Sequence, residues 1–199
     1  MPDKYSSFSE LAKNEKQGED FCVRVQERRG TAVVIAIHGG GIEPGTSEVA
    51  EGIAGDDLSF YAFVGIKSTG NAALHIRSTR FREPQCIALV AASPRAISIH
   101  GEDSERQVVF LGGRDAAMLN RLRDSLMASG FSVETHGSPG LQGCDEANIC
   151  NRGKSGCGVQ LELSNALRRS FFESLSRNGR KTKTERFDQF VAAIRRAIL

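Results

Sequence analysis

His38 opens the run His38-Gly39-Gly40-Gly41-Ile42-Glu43-Pro44-Gly45-Thr46, directly after the apolar stretch Thr31 to Ile37. A second apolar stretch, Ala96 to Ile99, also ends in a histidine, His100. Two imidazoles and a carboxylate are donors that zinc favours, so His38, Glu43 and His100 form a candidate ligand set for a Zn2+ ion in a metallohydrolase. The competing reading is two histidines satisfied by backbone hydrogen bonds near a sheet edge. Their shared strand-end position and the nearby glutamate favour the metal. His75 and His136 have less distinctive surroundings and read as structural.

Consecutive glycines reach backbone angles closed to other residues, which lets the chain turn sharply and bring Glu43 back beside His38. A helix is expected to begin at Thr46 or Ser47, with either hydroxyl as its N-cap and Glu48 in its first turn. The letters His-Gly-Gly-Gly also occur in the oxyanion loop of α/β-hydrolase esterases. That reading fails on the nucleophile, because the nearest string to a Gly-x-Ser-x-Gly elbow, Gly153-Lys-Ser-Gly-Cys157, ends in cysteine. A phosphate loop is unsupported as well, since Asn148 stands where its leading glycine belongs.

A zinc hydrolase also needs a base that takes a proton from water activated by the metal and returns it to the leaving nitrogen. Glu162, in Val159-Gln-Leu-Glu-Leu163, is the candidate. The alternative is that Gln160, Glu162 and Ser164 simply share the solvent face of an alternating strand. Arg152 could present a planar fork to a substrate carboxylate, or serve as a surface salt-bridge residue.

These residues need elements to position them. Apolar patterning predicts strands at 21–26, 32–37, 60–66, 73–77, 96–100, 107–111, 131–135 and 159–163. Helices are expected at 47–53, 84–92, 115–128, 166–174 and 186–198. Strands as apolar as 32–37 belong where both sheet faces are covered, and their alternation with helices predicts an α/β fold: a single three-layer domain, residues 1–199, with a mixed central sheet flanked by helices. In such folds the site lies at the carboxyl ends of strands, where His38 and His100 fall. The aperiodic stretch 137–158 is long for an internal loop and is expected to shape the site.

Composition agrees with a soluble globular chain. Of 199 residues, 40% are hydrophobic and 25% charged, and no apolar run reaches the length of a membrane helix. The N-terminus carries no secretory signal pattern, so synthesis in the cytoplasm is expected, with release by cell lysis compatible. Five cysteines without a CxxC pair argue for free thiols, although Cys144, Cys150 and Cys157 gather with His136 in a spacing wider than usual for a structural zinc site. Net charge is +2, yet residues 152–199 hold eleven Lys/Arg against four Asp/Glu. The stretch 177–186 is the densest part of that surplus. It reads as a solvated loop before a final helix, or as an attractor of a polyanion. A nucleic-acid partner would need stacking aromatics beside it, and Phe171, Phe172 and Phe187 have the helical spacing of core residues instead.

Taken together, the segments Ala36 to Glu48, Ser98 to Gly101 and Gly158 to Ser164 resemble the phage-type poly-γ-glutamate hydrolases, in the family's order and over roughly residues 20 to 197. The resemblance implies a core fold similar to the zinc carboxypeptidases, one zinc ion held by His38, Glu43 and His100, Glu162 as general base, and the γ-linked polyglutamate capsule of certain bacteria as substrate. The His38-to-Glu43 spacing follows the phage-type pattern and not the short His-x-x-Glu of the carboxypeptidases. Asn151 and Arg152 would correspond to carboxylate binders, although in carboxypeptidases such a pair precedes the third ligand and here it follows.

The expected function is therefore a zinc-dependent amidohydrolase cleaving γ-glutamyl amide bonds in poly-γ-glutamate, acting as a monomer on an acidic polymer without a membrane partner. The alternatives are a zinc amidase acting on cell-wall peptide or a small N-acyl glutamate compound, and a nucleic-acid-binding protein using the basic C-terminal region.

Overall fold

β2 (Val33–Gly40) is buried along its whole length, which requires both faces of its sheet to be covered. The computed structural model, which describes residues 3–199, places it near the middle of a seven-stranded mixed sheet. The other strands are β1 (Phe21–Gln26), β3 (Ser59–Gly65), β4 (Ala96–Glu102), β5 (Val109–Gly113), β6 (Val133–Glu134) and β7 (Val159–Ser164). Their order is β1-β3-β2-β4-β7-β5-β6. β3, β2, β4 and β7 run parallel, β1 and β5 pair antiparallel with β3 and β7, and β6 runs parallel to β5.

Alternate side chains divide between two cores. Val34, Ala36, Phe60, Ala62, Ile97 and Ile99 pack under α2 (Thr46–Ala54), α4 (Ala116–Ala128), α5 (Asn165–Ser170) and α6 (Glu185–Ile198). Val33, Ile35, Ile37, Tyr61 and Phe63 pack under α1 (Phe8–Asn14) and α3 (Pro84–Ala92). The result is the expected three layers. Each fully buried Ile or Phe contributes about 1.5–3 kcal/mol, so the sheet's two apolar faces dominate its stability.

From β2 the chain passes through α2 to β3 on one side, then reaches β4 on the other side of β2. A reversal of this kind opens a crevice beyond the carboxyl ends of the strands. His38 and His100 stand there, at the ends of β2 and β4, and the β4–β7 register sets Glu162 directly across from His100.

Several expectations need correction. Residues 73–77 form no strand: a 3-10 turn at Asn71–Leu74 leads into unpaired chain, and the strand-like alternation arises because Leu74 and Ile76 point into the core. The strand expected at 131–135 shortens to an edge pair, Val133–Glu134, and the helix expected to reach 174 ends at Ser170. α1 went unpredicted because it buries only Leu11; its start is set by the Ser7 side chain accepting from the Glu10 N–H. α2 takes Gly45 as its N-cap, with no hydroxyl capping it.

The arginines of the basic stretch 177–186 are engaged within the fold, while Lys181 and Lys183 are exposed. Arg177 donates to the Ile66 and Lys67 carbonyls, Arg180 pairs with Glu48, and Arg186 lies 3.8 Å from the Phe131 ring centre. Phe171, Phe172 and Phe187 are core residues. Among the described residues no helix is long and apolar enough to cross a membrane.

Candidate metal and active site

The register of β2 against β3 slips between Ala36 and Gly39. An extra residue of this kind re-aims a side chain, and His38 turns toward Ile76 and His75, the latter with its ring centre 4.0 Å away. The following loop closes tightly: Glu43 N–H donates to the His38 carbonyl at 2.9 Å, and the Thr46 hydroxyl reaches the His38 and Glu43 carbonyls at 3.3 and 2.8 Å. That contact takes the hydroxyl expected to cap α2. At Gly40 φ is +68° and a Cβ would stand 2.4 Å from the Gly65 carbonyl oxygen, so only glycine fits.

His38 is 2% exposed and sets its Nε2 at 2.9 Å from the Ile76 carbonyl. A carbonyl only accepts, so Nε2 carries the hydrogen and a neutral ring has its lone pair on Nδ1. That Nδ1 lies 2.9 Å from Glu43 Oε1 and 3.2 Å from His100 Nδ1. His100 is anchored from behind as well, its Nε2 2.7 Å from the Ser98 hydroxyl, a group that can donate or accept; with Nε2 as donor its Nδ1 also presents a lone pair. Glu43 completes the group: Oε2 accepts from the Gly101 N–H at 2.8 Å and stands 3.8 Å from His100 Nδ1.

Two imidazole lone pairs and a carboxylate meeting at one buried point repel each other until a cation or proton lies between them. The imidazoles stand 3.2 Å apart, with different Glu43 oxygens 2.9 Å from His38 and 3.8 Å from His100, separations near the roughly 3.3 Å expected between donors that each bind a tetrahedral zinc at ~2.0–2.1 Å. The donor set therefore fits the ion. With protons alone, burial opposes charge on His38, but the Glu43 carboxylate outweighs it and raises the imidazole's pKa. Glu43 is likewise opposed by burial and held at about 2 by His38. Burial, aided by the charge of His38, pushes His100 down to about 3 and keeps it neutral.

His75, read as structural, joins the group. Its Nδ1 is 2.7 Å from Asp3 Oδ1 and its Nε2 is 3.8 Å from Glu43 Oε1. His38, Glu43 and His75 each place a donor atom within 4.8 Å of the others, a grouping able to hold a metal ion that does not include His100. The sequence held a signal: with Leu74 and Ile76 turned inward, His75 and Arg77 must share the opposite face.

Glu162 is buried, 4% exposed, which excludes a solvent-facing strand. Gln160 donates to its Oε1 at 2.7 Å, and Asn148 in turn donates to Gln160 at 2.9 Å. Burial, then the neighbouring Glu43 charge, raises the Glu162 carboxyl well above its usual range despite the Gln160 hydrogen bond. His38, Glu43, His100 and Glu162 line one cleft of ≈ 910 Å³. Residues 138–141 and 143–145 contribute to its wall, as anticipated for the long loop.

Asn151 and Arg152 are not brought to that cleft. The Asn151 amide donates to the Gly143 and Asp145 carbonyls and accepts from Gly158 N–H, while Arg152 Nε donates to the Ala147 carbonyl. Both hold the loop's shape. Among the described residues Arg77 is the one Lys or Arg lining the cleft. The cysteines are free, and His136 Nδ1 accepts from Ser138 N–H without joining a metal-like cluster.

The sequence pattern of the poly-gamma-glutamate hydrolases matches residues 5–193. YndL of Bacillus subtilis (strain 168), a UPF0714 protein, is 39% identical over 190 residues, spanning 94% of this chain and 75% of its own. The SPbeta prophage-derived YoqZ of the same strain is 36% identical over 199 residues, spanning 98% and 72%. A bacteriophage poly-gamma-glutamate hydrolase superposes with a TM-score of 0.95 at 31% identity, covering 98% of this chain and 96% of that one. A zinc-free apo form of YndL gives 0.91 at 38% identity, covering 98% and 97%.

Proposed function

Because the chain belongs to the poly-gamma-glutamate hydrolase family, we propose that it is a zinc-dependent amidohydrolase that cleaves γ-glutamyl amide bonds of poly-γ-glutamate. One observation carries the reading: His38 Nδ1, His100 Nδ1 and the Glu43 carboxylate converge within 2.9–3.8 Å, with Glu162 across the strand register from His100. His38, Glu43 and His100 would hold one zinc ion. When bound, that ion supplies Lewis acidity that polarises an amide carbonyl and lowers the pKa of water.

The residues of the chain perform the remaining work. Ile76 and Ser98 fix the two imidazoles from behind, the outer support that metal-binding histidines ordinarily have. Glu162 takes a proton from the attacking water as its oxygen bonds to the amide carbon; the C–N bond breaks and Glu162 returns the proton to the departing nitrogen. Arg77 is better sited than Arg152 to receive a free α-carboxylate of the polymer. Release by lysis would bring the enzyme to exported polymer.

The test is turnover of purified poly-γ-glutamate beside murein fragments, with zinc content measured for wild type and His38→Ala. Equal, substantial zinc in both proteins would refute the site, and cleavage of murein fragments alone would reassign the substrate.

A further inference from the structure

Arg168, on α5, is 2% exposed, yet among the described residues none of its nitrogens lies within 4.0 Å of a carboxylate oxygen. Its charge is met by backbone carbonyls: Nη1 donates to Pro44 at 2.9 Å, Nη2 to Glu102 at 3.1 Å and Nε to Leu163 at 3.1 Å. The pattern lies in which carbonyls these are. Pro44 follows Glu43, Leu163 follows Glu162, and Glu102 follows Gly101, whose N–H fixes Glu43 and which follows His100. One planar fork therefore ties together the β2 loop, the end of β4 and the end of β7.

A buried guanidinium is costly without compensation, and a carboxylate partner would be the usual one. A direct pair with Glu43 or Glu162 would occupy an oxygen that the chemistry needs. Carbonyl dipoles compensate the charge while leaving both carboxylates free, and the cation still stands within electrostatic range of each. The packing is specific to this fork: a Cβ on Gly101 would approach Arg168 Cζ to 2.7 Å. Lysine keeps the charge but lacks the geometry to reach three carbonyls at once.

We propose that Arg168 is a positioning residue that holds His100, Glu43 and Glu162 in convergence through the backbone beside each of them. This rests on the zinc reading above. Arg168→Lys is the first variant, Gly101→Ala displaces the guanidinium without changing any charge should the lysine variant not fold, and Arg180→Lys is the control. Arg180 is also buried, but binds Glu48 and the Leu175 carbonyl instead. Zinc affinity is measured by chelator competition well below each apo protein's Tm, and the visible spectrum of the cobalt(II)-loaded protein reports ligand geometry.

Arg168→Lys and Gly101→Ala are expected to bind zinc about 10–100-fold more weakly, the range for loss of outer support at a metal site, with an altered cobalt spectrum. Arg180→Lys should lower Tm and leave both readouts at wild type. Wild-type zinc affinity in the first two variants, or an equal loss in Arg180→Lys, overturns the proposal and leaves the zinc reading standing. Wild type that binds no zinc overturns both.

Discussion

His38 Nδ1 and His100 Nδ1 face each other at 3.2 Å across the floor of the cleft. Their other ring nitrogens are tied to Ile76 and Ser98, so neither imidazole can turn away without breaking a buried hydrogen bond. The pair is preorganised for a cation, and replacing one member leaves the other and Glu43 short of a donor set.

Zinc content is the first consequence. His38→Ala and His100→Ala should each reduce bound zinc from about one per chain to a small residue, by elemental analysis. Chelator treatment of wild type should lower Tm, since a ligand at 100 times its Kd contributes about 2.7 kcal/mol to the folded state. An unchanged Tm on zinc removal would contradict a site linking β2 to β4.

Glu162→Gln retains the volume and the neighbouring Gln160 but cannot take a proton. Its kcat on poly-γ-glutamate should fall about 10²–10⁴-fold, the usual range for loss of a general base. Zinc content should stay at wild type. A variant retaining more than a tenth of wild-type kcat would remove Glu162 from the reaction.

Arg77→Ala should raise KM for the polymer with little change in kcat. Arg77 is largely exposed, so a charge-assisted contact worth ~1.5–3 kcal/mol in shelter falls to about 1 kcal/mol here, close to a fivefold change. Arg152→Ala, outside the cleft, should leave KM within twofold. The reverse order would restore Arg152 as the carboxylate binder.

The N-terminal segment carries a separate pH effect. Burial alone would raise the Glu15 carboxyl; Lys67, Tyr5 and Lys4 outweigh it and hold it at about 2 against the usual 4.5. A depressed carboxylate stabilises the fold fully above its unfolded value, and that contribution drains away as pH falls from about 4.5 toward 2. Glu15→Gln should therefore show a flatter fall of Tm over that window, by calorimetry. A slope equal to wild type would exclude Glu15 from acid unfolding.

What the sequence disclosed about this fold followed pattern strength. β1 and α3 match their predicted bounds because Phe21 to Gln26 alternates cleanly and Pro84 marks a first helical turn. Residues 73–77 misled because an irregular segment buries Leu74 and Ile76 at a strand's period. The convergence of His38 and His100 followed from their strand-end positions, and that of Glu43 from the glycine-rich loop after β2. His75 was missed because its approach to Glu43 depends on a turn and on Asp3, far away in the chain. Arg152 was drawn in by its charge and its place in the long loop, and Asn151 by resemblance, whereas their local hydrogen bonds fix the loop.

β7 is the last strand in the chain, yet it lies between β4 and β5, both made earlier. An emerging polypeptide therefore holds a gap in the middle of its sheet until residues 159–164 arrive to fill it. Such non-local pairing slows folding, and here Glu162 joins His38 and His100 only after residues 159–164 have been made. A chain that stops short of β7 has His38 and His100 but lacks the strand that sets Glu162 across from His100, so the floor of the cleft closes only once that strand is inserted between its neighbours.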